Sequence, residues 1–152
     1  MMDQIDTQLL NLLQRKGNAT AQELADTLGL SASQIGRRRQ RLEDSGVIRT
    51  YRAQLAPERV GLTVQAFVQV QLARHGAEQG RSFDQMLRTR DEITSAWTMT
   101  GEADYLLRVW CEDLPALNRL IHEVLLAHPT VARVHSQIVM GQSKADAPLP
   151  VR

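Results

Sequence analysis

Two capping boxes set around a glycine constrain this chain more than any other feature. In "TAQELADTLGLSASQIGRRRQRLEDSG", Thr20-x-x-Glu23 and Ser31-x-x-Gln34 each open a helix. The hydroxyl of the first residue accepts from an unpaired backbone N–H, and the side chain of the fourth reaches back to another. Gly29 and Gly46 end the two helices. Leu24, Ala25 and Leu28 form the inner face of the first, and Ile35 and Leu42 share one side of the second. A third helix precedes them: Asp3 caps a run carrying Ile5, Leu9, Leu12 and Leu13, and Gly17 closes it. Two capped helices joined by a short glycine-containing link predict a helix-turn-helix. "VIRTYRAQL" then alternates as a short strand or wing.

The second capped helix crowds Arg37, Arg38, Arg39 and Arg41 into five positions. At about 100° per residue, Gln34, Arg37 and Arg41 fall on one arc with Arg38 at its edge, opposite Ile35 and Leu42. The formal net charge of the whole chain is only +1, so a polyanion site has to come from local clustering. Residues 31–52 supply it, with arginines at 37, 38, 39, 41, 49 and 52 against acids at 43 and 44 only. Arginine forks fit guanine or phosphate, Gln34 fits adenine, and Ser31 and Ser33 near the helix start fit a phosphate. A solvated face balanced by Glu43 and Asp44 is the bland alternative. The capped helix and turn in front of it favour a helix built for the major groove. Arg39 points nearer the core side, where it snorkels or reaches the flanking backbone.

"APERVGL", with Pro57 and Gly61, separates this region from one with a different period. "TVQAFVQVQLA" sets Val64, Ala66, Val68, Val70 and Leu72 on one face of a strand, and Gln65, Gln69 and Gln71 on the other. Phe83, Met86 and Leu87 have helical spacing. "ITSAWTMT" and "DYLLRVWCE" read as two strands joined through Gly101. Leu114, Leu117, Leu120, Ile121, Val124 and Leu125 form a helical stripe, and Val131 to Met140 a last strand. The fold class is therefore α+β: a winged helix-turn-helix over residues 1–52, a linker over 53–62, a ferredoxin-like βαββαβ domain over 63–141, and a loose polar tail over 142–152. Two helices cover only one face of such a sheet. The other is expected to carry Phe67, Leu106 and Trp110, with Val134 or Ile138, which is too much apolar surface for a monomer to leave wet.

Several function classes fall away. One cysteine, Cys111, excludes an intramolecular disulfide and a cysteine-based zinc site, and reads as small core filler. His75, His122, His128 and His135 lack tight metal spacing, so no metal or other cofactor is expected. No nucleophile–base–orienter set is visible, so an enzyme is not expected. An RNA-binding sheet wants a basic, aromatic strand that "DYLLRVWC" lacks. Acids at the N-terminus and the want of a long apolar run leave no sign of export or membrane insertion, and the chain is expected to be cytoplasmic.

"LADTLGLS", "RRRQRLEDSGVI", "YRAQLAPERVGL" and "TGEADYLL", in this order, resemble the Lrp/AsnC or feast/famine family of transcription regulators, and the likeness runs over about residues 3–141. The resemblance implies a sequence-specific regulator with a second domain that dimerises and binds small amino acids. It implies further assembly of the homodimer to a tetramer or octamer. A dimer presents two recognition helices to a roughly palindromic stretch of double-stranded DNA. Spacing alone reads the 100–105 segment as a plain hairpin turn, in which Gly101 supplies the geometry and Asp104 bonds locally. The resemblance assigns it as the effector loop, with Thr100, Gly101, Asp104 and Tyr105 as ligand-binding residues; Ser136 and Gln137, on the last strand, are secondary candidates. A regulator that shapes DNA with no effector is the alternative.

Overall fold

The computed structural model describes residues 2–73 and 77–152, so His75 lies outside the described residues. The chain divides into two compact units, Met1–Gln54 with Ser143–Arg152, and Leu55–Gln142.

The first unit holds three helices: α1 (Gln4–Arg15), α2 (Ala21–Leu28) and α3 (Ala32–Asp44). Each opens on a reciprocal box. Asp3 and Asp6 cap α1, Thr20 and Glu23 cap α2, and Ser31 and Gln34 cap α3. Gly29 ends α2 at φ 66°, a conformation only glycine adopts without strain. Leu9, Leu10 and Leu13 of α1 meet Leu24 and Ala25 of α2 and Ile35 and Leu42 of α3 in one buried cluster, with Ala19 between. Burying these aliphatic groups contributes about 1.5–3 kcal/mol per large side chain.

Two expectations for this unit are corrected. The run read as a strand or wing lies in no strand. Ile48 donates its N–H to the Leu42 carbonyl at 3.0 Å, and the Tyr51 hydroxyl donates to Glu43 at 2.8 Å. The segment is thereby folded back onto the end of α3, and among the described residues of this unit no strand is at hand to complete a ladder. The tail expected to be loose is tied down. The Gln14 amide donates to the Leu149 carbonyl at 3.1 Å and accepts from the Leu149 N–H at 2.6 Å, and Val151 packs against the helical core.

The second unit begins with a 3₁₀ turn, Pro57–Val60. It continues through β1 (Val64–Leu72), α4 (Ala77–Leu87), β2 (Ile93–Thr98), β3 (Tyr105–Cys111), α5 (Leu114–Arg119) and β4 (Val131–Ile138), and α5 widens into a π-helical turn over Leu120–Leu125. The sheet is antiparallel in the order β2-β3-β1-β4, which with the helix positions is the ferredoxin-like motif. Its covered face is Ala66, Val68, Val70, Leu72, Leu107 and Val109, packed on Phe83, Leu117, Leu120 and Leu125. Cys111 is buried there as filler, and burial pushes its thiol pKa up.

Residues opposite each other in an antiparallel ladder share a face. Gln65 opposes Trp110, Phe67 opposes Arg108, and Gln69 and Trp97 both oppose Leu106, so Phe67, Leu106, Trp110 and Trp97 share the uncovered face. Val134 opposes Val70 and Ile138 opposes Ala66, which places both on the helix side; their assignment to the open face is corrected. The β1–β4 half of the open face is polar instead, with Gln69 opposite His135, Gln71 opposite Arg133 and Phe67 opposite Gln137.

Candidate functional site

Ile35 and Leu42 fix which side of α3 faces water, because both are buried. The opposite side carries Gln34, Arg37, Arg38 and Arg41, which line one shallow hollow of about 350 Å³. Ser31 and Ser33 are exposed at the helix start. The Ser31 hydroxyl accepts from the Gln34 N–H at 3.2 Å, and the Gln34 side-chain oxygen accepts from the Ser31 N–H at 2.9 Å. All six residues read from the sequence as DNA contacts thus belong to one helix and its cap.

Their guanidiniums are not equivalent. Arg37 is exposed, with no hydrogen bond or ion pair among the described residues. Arg38 Nη1 donates to Asp3 and to Asp6, 2.7 Å each, and Arg41 Nη2 donates to Asp6 at 2.6 Å. The Asp6 N–H beside it, and then Arg38, hold the Asp3 carboxyl below the usual carboxylate range. Asp3 and then Asp6 raise the Arg38 pKa above its ordinary value. Arg39 turns away from this row: its Nε lies 3.2 Å from Glu43 and 2.9 Å from the Tyr51 hydroxyl, and its guanidinium carbon sits 4.6 Å from the Tyr51 ring centre. The sequence reading placed Arg39 off the DNA face but did not find Tyr51. It also read Asp3 only as a cap and passed over Asp6. An acid in the first turn of a helix signals a cap so strongly that a second role is hidden.

In the second unit the β2–β3 connection over residues 99–104 turns at Gly101, where φ is 106° and a side chain would be strained. Thr100 and Gly101 are exposed. Asp104 is half-buried, and its carboxylate accepts from the Leu72 N–H at 2.7 Å. Its own N–H donates to the Val70 carbonyl at 2.9 Å, so the turn is sewn to the end of β1. Tyr105 is buried against Phe83, ring centres 4.8 Å apart, and its hydroxyl donates to Asp84 at 3.0 Å. Burial, and then the bond to Asp84, push its pKa up to about 12. Asp84 went unnoticed in the sequence, although it adjoins the core residue Phe83 on α4.

A hollow of about 300 Å³ lies on the polar half of the open face, beside the turn. Gln69, Gln71, Glu102, Ala103, Arg133 and His135 line it. Ser136 and Gln137 are exposed further along β4 and are not part of that lining. Among the described residues no group of three or more His, Cys, Asp or Glu side chains is placed to hold a metal, and no helix is long and apolar enough to cross a membrane.

Residues 2–43 match the AsnC-type helix-turn-helix domain, and residues 65–149 match the Lrp/AsnC ligand binding domain. The chain is 33% identical to the DNA-binding transcriptional activator DecR of Escherichia coli over 99% of both chains. It is 31% identical to the leucine-responsive regulatory protein of the same organism, over 99% of this chain and 92% of that one. Among solved structures, a transcriptional regulator from Neisseria meningitidis in complex with L-methionine superposes with a TM-score of 0.94 at 35% identity, covering 99% of this chain and 97% of that one. An AsnC family transcriptional regulator from Agrobacterium tumefaciens superposes with a TM-score of 0.90 at 32% identity, over 98% and 97%. A helix-turn-helix, a ferredoxin-like sheet and two successive domain matches along one chain converge on one conclusion: this protein belongs to the Lrp/AsnC family of transcription regulators.

Proposed function

We propose that this regulator works in the cytoplasm, without catalysis, by seating α3 in the major groove of double-stranded DNA. Ser31 and Ser33 hold phosphate at the helix start, and Gln34, Arg37, Arg38 and Arg41 face the bases and the flanking backbone. The observation that carries this is the single hollow lined by Gln34 and three arginines, opposite the buried anchors Ile35 and Leu42. Two copies meet through the open sheet face, where Trp97, Phe67, Leu106 and Trp110 leave apolar surface on a unit whose other face is already covered. The target is therefore roughly palindromic. Further assembly to a tetramer or octamer belongs to the same proposal. The test is a titration of duplexes enriched by this protein from a random library. Alanine at Arg37 should weaken binding at least about fivefold, and an unchanged titration would remove α3 as the reading element.

The second unit binds a small amino acid at a subunit interface beside the 99–105 turn. L-methionine is the first to try, since the Neisseria regulator is a methionine complex. Thr100 and Gly101 present the turn to the ligand, Asp104 and Tyr105 brace it from within, and Ser136 and Gln137 lie on β4, beyond β1. The inward engagement of Asp104 and Tyr105 also favours a second reading, a regulator of DNA architecture with no effector. Melting curves against the twenty amino acids separate the two. A ligand at about a hundred times its Kd adds about 2.7 kcal/mol of stability, whereas no shift with any of them leaves the architectural reading.

A further inference from the structure

Among the described residues Asp6 is the only charged side chain that is fully buried. Burying a carboxylate costs several kcal/mol unless it is paired with good geometry. Here Oδ1 accepts from Arg38 Nη1 at 2.7 Å. Oδ2 accepts from Arg41 Nη2 at 2.6 Å and from the Asp3 N–H at 3.1 Å. Asp3 adds a second carboxylate to Arg38 Nη1 at 2.7 Å. Arg38 and Arg41 stand one turn apart on α3, where two like charges repel. A carboxylate between them cancels that repulsion and fixes one corner of each guanidinium. The Arg38 side chain is 24% exposed and the Arg41 side chain 57%, so Arg41 keeps its other donors in water while its orientation is set from below.

We infer that Asp6 is a positioning residue for DNA recognition: from inside the first unit it aims Arg38 and Arg41, and so sets how well α3 tells one sequence from another. It rests on the reading of α3 as the DNA-contacting helix. With no exposed surface Asp6 cannot touch DNA itself. Any effect of changing it on recognition has to pass through the two arginines. A guanidinium released from Asp6 keeps its charge but loses its aim. It then pairs with whatever phosphate is nearest, which adds to non-specific binding and subtracts from discrimination.

The test compares wild type and Asp6→Asn on two duplexes, one enriched by the wild-type protein from a random library and one scrambled, across a salt series. Asparagine has the same shape but not the charge. The ratio of affinities for the two duplexes is expected to fall at least about fivefold, the loss of one well-aimed base contact. The salt dependence on the scrambled duplex is expected to steepen by about 0.9 in log–log slope for each phosphate newly neutralised. A role in folding alone would move the melting temperature and neither of these. Should Asp6→Asn not fold, Asp3→Asn serves. Asparagine still caps α1, and the change loosens Arg38 from a half-exposed carboxylate, so the affinity ratio falls by a smaller factor. An unchanged ratio and slope in the folded variant, with wild type discriminating between the duplexes, overturns the inference alone. Wild type that binds both duplexes equally overturns the reading of α3 on which it rests.

Discussion

Helix α3 and the 99–104 turn hold their polar side chains by opposite means. On α3 the apolar residues Ile35 and Leu42 go inward and the guanidiniums of Arg37 and Arg41 stay out. In the turn it is a polar group that goes inward: Asp104 caps the Leu72 N–H, Tyr105 beside it reaches Asp84, and Met99, Thr100 and Glu102 stay out around Gly101. A helix presents whatever side chains its period puts outside, and recognition there is a matter of side-chain identity. A turn tied down by one of its own polar side chains presents the others on a backbone whose shape is already set, and recognition there depends on backbone shape as well as on side-chain identity.

That contrast can be broken most forcefully from beneath α3. Ile35→Ala empties a fully buried position and is expected to destabilise the first unit by about 2–5 kcal/mol in urea titrations. A loss below about 1 kcal/mol would mean that α3 is held by its outer ion pairs instead. Next in size is Asp104→Ala, which leaves the Leu72 N–H without its acceptor and should cost the second unit about 1–3 kcal/mol. Asp104→Asn, which keeps an acceptor oxygen, should recover most of it. Tyr105→Phe should cost about 1 kcal/mol at neutral pH through the lost bond to Asp84.

The same tyrosine predicts an alkaline signature. Its pKa stands at about 12 in the folded chain against an ordinary 10.0, so the unfolded chain gives up that proton first. The stabilisation from the protonated phenol is present in full below pH 10 and is lost as pH rises toward about 12. Melting temperatures of the wild type should fall through this window more steeply than those of Tyr105→Phe. The smallest expected effect sharpens the contrast from the other side: Arg37→Ala should leave stability within about 0.5 kcal/mol, because the side chain has no hydrogen bond or ion pair to lose among the described residues, while DNA binding weakens.

What could be read from the sequence follows the same division. The three caps, the glycine stops, the buried pair beneath the arginines and the βαββαβ order are all properties of residues close together in the chain, and local chemistry decides them. Asp6 beneath Arg38 and Arg41, Tyr51 beneath Arg39, and Asp84 beneath Tyr105 join residues from separate elements, and nothing in a local pattern announces them. The run after Gly46 alternates as a strand would, but alternation needs an opposing strand, and Tyr51 is instead pinned to Glu43. Val134 and Ile138 were placed on the wrong face because register, which sets the side of the sheet, comes from pairing with Val70 and Ala66 and not from hydrophobicity.

The clasp between Gln14 and Leu149 has a consequence for the order in which the protein is made. The three helices precede the sheet in the chain, yet Val151, which packs against their core, is translated only after every strand of the sheet. Until then the groove beside Leu10 and Leu13 lacks the part of its wall that Leu149 and Val151 form. The helical unit is thus begun before the sheet and completed after it.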